Sequence, residues 1–149
     1  MKKPVSSVES EKSHEKPFNI LIIDDDVEIL QLLNEILSFK FSSVKIYAAY
    51  NGAQAFKLLD NLTKNGINID YVLTDYILPI LNGAELCKSI KQTHPNVKIA
   101  IMTCFVLSDD ENLSYADEIV LKPIDFEVLF KSISDQMKNR SKNQKFSSQ

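Results

Sequence analysis

Four short apolar runs, each ending on a polar residue, constrain this chain more than any other feature. Phe18 to Ile23 leads into Asp24 and Asp25, Ile69 to Thr74 into Asp75, Val97 to Met102 into Thr103, and Ile119 to Leu121 into Lys122. Continuous apolar runs of this length, separated by amphipathic stretches, are what strands buried on both faces of a parallel sheet require. Alternation of such strands with helices predicts a doubly wound α/β fold with right-handed crossovers. Ligands of open α/β sheets bind beyond the carboxyl ends of the strands, so the polar termini converge on one edge.

The segments between the runs carry the matching helical signals. Asp26 is suited to cap a helix over 27–39, where Ile29, Leu30, Leu33, Ile36 and Leu37 recur at three- and four-residue steps and share one face. Val44 to Ala48 reads as a short strand, and Asn51-Gly52 opens a second helix bearing Ala55, Leu59 and Leu62 that ends at Asn65-Gly66. Pro79 and Gly83 predict an irregular 76–83 segment. A third helix then turns Leu86, Cys87 and Ile90 inward and closes at His94-Pro95, because a residue before proline avoids the helical region. From Cys104 to Ala116 the pattern is weak, and Asp109, Asp110 and Glu111 mark only the start of a small fourth helix. Asp125 caps a last helix with Val128, Leu129 and Ile133 facing inward.

At 149 residues and 44% hydrophobic content the chain can bury one core, not two. Residues 1–17 and 139–149 carry little to bury and are expected as mobile tails, leaving a folded unit over 18–138. A net charge of −3 with interspersed signs offers no basic face for nucleic acid. No run approaches the ~20 apolar residues that span a bilayer, and no signal core follows the N-terminal lysines, so the expected location is the cytoplasm. Cys87 and Cys104 are too few for a disulfide framework and lack zinc spacing, so both are expected as free thiols.

A carboxylate attacks phosphate only when the phosphoryl charge is neutralised, which calls for a divalent cation and a fixed positive charge. The sheet edge supplies both. Asp24, Asp25 and Asp75 can hold Mg²⁺, which takes a few carboxylates and keeps waters. Lys122 offers a point charge and Thr103 a hydroxyl for phosphoryl oxygens. Taken singly, each residue has an ordinary role as a helix cap, a strand end or a solvated lysine. Three facing aspartates, however, are costly without a cation, which favours a site.

These residues resemble the receiver domain of bacterial two-component response regulators over nearly all of 18–138. Ile20-Leu-Ile-Ile-Asp-Asp-Asp resembles the family's first strand with its acidic pair. Asp75-Tyr-Ile-Leu-Pro-Ile-Leu-Asn-Gly83 resembles its phosphoacceptor loop, and Ile101-Met-Thr103 and Leu121-Lys-Pro123 resemble its remaining motifs. The resemblance implies a five-stranded sheet of order 2-1-3-4-5 with about five helices, in a chemotaxis-type, single-domain protein. It assigns phosphorylation to Asp75 and Mg²⁺ ligation to Asp25, Asp75 and the Ile77 carbonyl, with Asp24 acting indirectly. Thr103 becomes the switch hydroxyl, Lys122 the phosphate-contacting amine, and Pro123 the residue after a cis peptide. A histidine kinase or phosphotransfer protein is the implied donor, with output by contact with another protein and no turnover beyond slow loss of the phosphoryl group.

Departures from the pattern bear on the output. Ile119 stands where the family usually has an aromatic switch residue, and the interval from Thr103 to Lys122 is short. Cys104 replaces a small residue, and packing is its expected role. A phosphorylation-independent interaction module is therefore a second reading. A haloacid-dehalogenase-type phosphatase is a third, but Glu28 breaks its opening motif and no acidic pair follows Lys122. With three glycines and no Gly-x-Gly-x-x-Gly, dinucleotide binding lacks its phosphate turn.

Overall fold

The computed structural model describes residues 16–104 and 109–147. Its strands are β1 (Phe18–Ile23), β2 (Val44–Ala49), β3 (Tyr71–Asp75), β4 (Lys98–Thr103) and β5 (Glu118–Leu121). They form one parallel sheet in the order β2-β1-β3-β4-β5. Helices α1 (Val27–Lys40), α2 (Gly52–Lys64), α3 (Gly83–Thr93) and α4 (Phe126–Ser147) follow β1, β2, β3 and β5.

Period-two alternation in the strands divides the core between the two faces of the sheet. Leu21, Ile23, Val72 and Ile101 pack with Leu59 of α2 and Ile90 of α3, whereas Ile20, Ile22, Leu73 and Met102 pack with Leu33 of α1 and Ile133 of α4. Both faces of β1 are fully buried, which is why its six residues show no alternation of polarity. The expected caps are present, with Asp26 Oδ1 accepting Glu28 N and Asp125 Oδ1 accepting Glu127 N, and Asn51 adds a third, its Oδ1 accepting Gln54 N at the start of α2. Gly66 takes φ +75 just past α2, a conformation with a steric cost for residues bearing a Cβ.

Several expectations are corrected. Four α-helices are present among the described residues, and the expected small fourth helix is a single 3-10 turn over Glu111–Tyr115 with no buried residue. Only a few partly buried groups there, such as Leu113 and Ala116, reach the core, too few to hold a longer helix against it. Val128 is 52% exposed rather than inward, because Leu129 and Ile133 set the buried stripe of α4. Cys104 is exposed, so packing is not its role, whereas Cys87 is buried and its thiol is pushed up to about 12 by desolvation. Gly83, expected in the irregular segment, is the first residue of α3.

The folded unit also extends past Lys138. Helix α4 continues through Ser147, and Arg140 reaches back across the sheet to the start of β1. Its Nη1 donates to Pro17 O (2.8 Å) and Asp70 Oδ2 (3.1 Å), its Nη2 donates to Lys16 O (2.9 Å), and its guanidinium lies 5.3 Å from the Phe18 ring centre. Residues 16 and 17 are thus tied down, and the rest of the expected N-terminal tail lies outside the described residues. Burial pushes the Asp70 carboxyl above its ordinary value although the Asn19 N–H and Arg140 both favour its charged form. Arg140→Ala should therefore cost about 1–3 kcal/mol, because it leaves Asp70 desolvated without its cation. Denaturant unfolding checks this, and an unchanged midpoint would mean that solvent replaces Arg140 at no cost.

Candidate functional site

Register brings the polar termini together. Ile23 pairs with Thr74, so Asp24 and Asp75 are the next residues on adjacent strands, and Thr103 pairs with Leu121 one step before Lys122. The ladder continues past the strand ends through Asp24 N to Ala49 O (3.1 Å) and Lys122 N to Thr103 O (2.8 Å). Each functional side chain therefore leaves the sheet at its carboxyl edge, from backbone fixed on a neighbouring strand.

Asp24, Asp25 and Asp75 place one carboxylate oxygen each within 4.8 Å of one another. Asp25 is exposed, Asp75 is half-buried, and Asp24 is 1% exposed. Lys122 Nζ lies 3.3 Å from Asp75 Oδ1 and 3.9 Å from Asp24 Oδ2. Asp24 Oδ1 accepts Asp26 N at 2.9 Å, while Oδ2 is buried without a hydrogen bond. Burial is the main reason that the Asp24 carboxyl is raised to about 6; the Asp26 N–H opposes the shift, Asp75 adds to it and Lys122 opposes it. An orphaned buried oxygen beside two further carboxylates, with one ammonium for three anions, fits a small hard cation. Asp25 and Asp75 would offer oxygens to Mg²⁺, with the Asp24 carboxylate close beside them.

This charge imbalance has a measurable consequence. Asp24→Asn keeps an oxygen for the Asp26 N–H but removes a buried charge, so it should stabilise the metal-free protein by about 1–3 kcal/mol. Added Mg²⁺ should raise the unfolding temperature of the wild type and have a smaller effect on the variant. Equal gains in both would remove Asp24 from the cation site.

The 75–83 segment is held from several sides. Tyr76 N donates to Met102 O (2.9 Å), Gly83 N to Tyr76 O (2.7 Å), and Leu81 N to Pro79 O (2.8 Å). The last bond closes a three-residue turn on Ile80, whose φ is +74 and whose side chain is fully exposed. A β-branched residue held there costs about 1–3 kcal/mol and persists only where its surroundings enforce it. Gly83 is required by close approach, since a Cβ on it would lie 2.3 Å from Asp75 O and 2.9 Å from Tyr76 Cα. Nothing in the spacing of the motif signalled that contact.

Thr103 ends β4 and is 2% exposed, and Ile77 is 61% exposed in the loop. The Lys122-Pro123 peptide bond is cis. Ile119, in the position where an aromatic was expected, is 43% exposed on β5. Two residues with no role assigned from the sequence, Tyr76 and Asn82, reach from the loop to Asp110, at the start of the 3-10 turn.

The family described as "Response regulator receiver domain" matches residues 20–134. Among curated relatives, a cyclic di-GMP phosphodiesterase of Thermotoga maritima is 28% identical over 127 residues, and the transcriptional regulatory protein CpxR of Escherichia coli is 37% identical over 75 residues. These alignments cover 81% and 50% of this chain but only 31% and 29% of the relatives. The chain thus spans about a third of the length of these curated relatives or less. Among solved structures, the response regulator protein TrrA of Thermotoga maritima, in complex with Mg²⁺ and BeF, is 28% identical with a TM-score of 0.68, over 80% of this chain and 98% of that one. The signal receiver domain of an HD domain-containing protein from Pseudomonas fluorescens superposes with a TM-score of 0.71 at 21% identity, over 89% and 96% of the two chains, and is similar in fold.

Proposed function

Because the chain belongs to the response regulator receiver domain family, we propose that it is a phosphoacceptor that takes a phosphoryl group onto Asp75 from a histidine kinase or phosphotransfer protein. The observation that carries this reading is the meeting of three carboxylates, one of them with an orphaned buried oxygen, with the Lys122 ammonium 3.3 Å from Asp75. In the transfer an Asp75 oxygen bonds to phosphorus, the bond from phosphorus to the donor's imidazole nitrogen breaks, and the electron pair leaves on that nitrogen. Lys122 pairs with the phosphoryl oxygens as the charge on the Asp75 carboxylate is spent in the new bond. Asp25 and Asp75, with the Ile77 carbonyl, would hold Mg²⁺, with Asp24 acting indirectly, and the ion would supply the remaining neutralisation. Thr103, at the end of β4, is the hydroxyl that closes on the phosphoryl group.

In this reading the domain works in the cytoplasm, is not a turnover enzyme, and signals by contact with a downstream protein. Among the described residues no helix is long and apolar enough to cross a membrane. Incorporation of phosphate from acetyl phosphate in the presence of Mg²⁺, and its loss in Asp75→Asn, tests the reading. A wild-type protein that takes up no phosphate would instead support a phosphorylation-independent interaction module, for which the exposed Ile119 and the 3-10 turn in place of a fourth helix are the motivation.

A further inference from the structure

The two ends of the 75–83 loop are joined to one carboxylate outside it. Tyr76 Oη donates to Asp110 Oδ2 at 2.7 Å, and Asn82 Nδ2 approaches the same oxygen at 3.4 Å. The other oxygen, Oδ1, accepts Asn112 N at 2.9 Å and caps the 3-10 helix. Asp110 O then accepts Leu113 N at 3.1 Å, so this one residue organises the turn. Bonds from neutral donors to an ionised acceptor are among the stronger hydrogen bonds in proteins. The bond to Asp110 also pushes the Tyr76 phenol above its ordinary value.

Tyr76 is the neighbour of Asp75, and its backbone is gripped on both sides, by Met102 O and Gly83 N. Asn82 caps α3 through Glu85 N at 2.9 Å. These bonds link the backbone next to Asp75 to the groups that the loop's ends hold. Ile119 has no polar atom in its side chain and lies exposed on the edge strand, so it cannot make an equivalent bond.

We propose that Asp110 is the positioning residue of the phosphoacceptor loop, and that the Tyr76 and Asn82 bonds to it carry the state of Asp75 into the 3-10 segment Glu111–Tyr115. This rests on the receiver reading above and names the route by which that site is read out. The altered element is the short turn, which has no buried residue and opens at low cost.

The test uses the full chain with Mg²⁺ and beryllofluoride, with amide hydrogen exchange read at Asn112, Leu113 and Ala116 and bound beryllofluoride followed separately by fluorine NMR. In the wild type, binding changes exchange at these amides. Tyr76→Phe, which removes one oxygen and keeps the ring, speeds their exchange about tenfold or more before ligand is added, the strength expected of a charge-assisted bond. It also abolishes their response while the bound fluorine signal remains. Asp110→Ala reproduces the loss, and Ile119→Ala retains the response. A wild-type-sized response in Tyr76→Phe overturns the proposal, as does a wild type that binds beryllofluoride with no change at these amides. A wild type without a bound fluorine signal overturns the receiver reading itself, and the coupling with it.

Discussion

Lys122→Ala should slow phosphate incorporation from acetyl phosphate by about 10²–10³-fold at a fixed Mg²⁺ concentration, the usual cost of removing one preorganised group that meets transition-state charge. The ammonium stands 3.3 Å from Asp75 Oδ1 and 3.9 Å from Asp24 Oδ2, so it already neutralises the carboxylates that a phosphoryl group would approach. Its loss leaves three carboxylates within 4.8 Å of one another without it, and the metal-free protein should lose stability as well. Lys122→Arg keeps the charge but replaces a compact point charge by a planar fork, and should recover part of the rate. Time courses of labelled phosphate uptake decide the matter. A near-normal rate in Lys122→Ala would show that the cation alone neutralises the phosphoryl oxygens.

Gly83→Ala should be the most disruptive small substitution in the site. Its added methyl would sit 2.3 Å from Asp75 O, a distance at which backbone has to move. The atoms in the way are backbone of Asp75 and Tyr76, not the flexible end of a side chain. Overpacking of this kind costs about 1–3 kcal/mol, occasionally more. Because Gly83 N also donates to Tyr76 O, the shift should pass directly into the loop and lower phosphate uptake together with stability. Chemical unfolding and the uptake assay should therefore change in parallel. A variant of normal stability and normal uptake would show that the loop can relax away from α3 without moving Asp75.

Most of the architecture was legible because it depends on burial. Strands covered on both faces must be continuously apolar, and the runs ending at Ile23, Thr74 and Met102 mark the central strands with a precision of about one or two residues, whereas β5 is an edge strand on which Ile119 and Leu121 are exposed rather than buried. The caps at Asp26 and Asp125 were legible because short polar side chains satisfy the first helical N–H groups locally. The far end of α4 was not, since its polar residues resemble a tail until Arg140 finds partners more than 120 residues away. Val128 was misplaced for a similar reason: a helical stripe is only as well defined as the surface it packs on, and Leu129 and Ile133 claim that surface.

The order of apolar runs and the residues that close them determined, without any coordinates, that Asp24, Asp25, Asp75 and Lys122 would share an edge, because parallel strands have one carboxyl end. Tertiary structure alone decided how that edge is tuned. Burial raises Asp24 while Asp25 stays in solvent, two neighbours in sequence given different environments by the sheet. The need for glycine at position 83 and the meeting of Tyr76 and Asn82 at Asp110 depend on distances between segments that follow different strands. Local pattern carries period and polarity, whereas close approach, desolvation and partner choice exist only once the strands are in register.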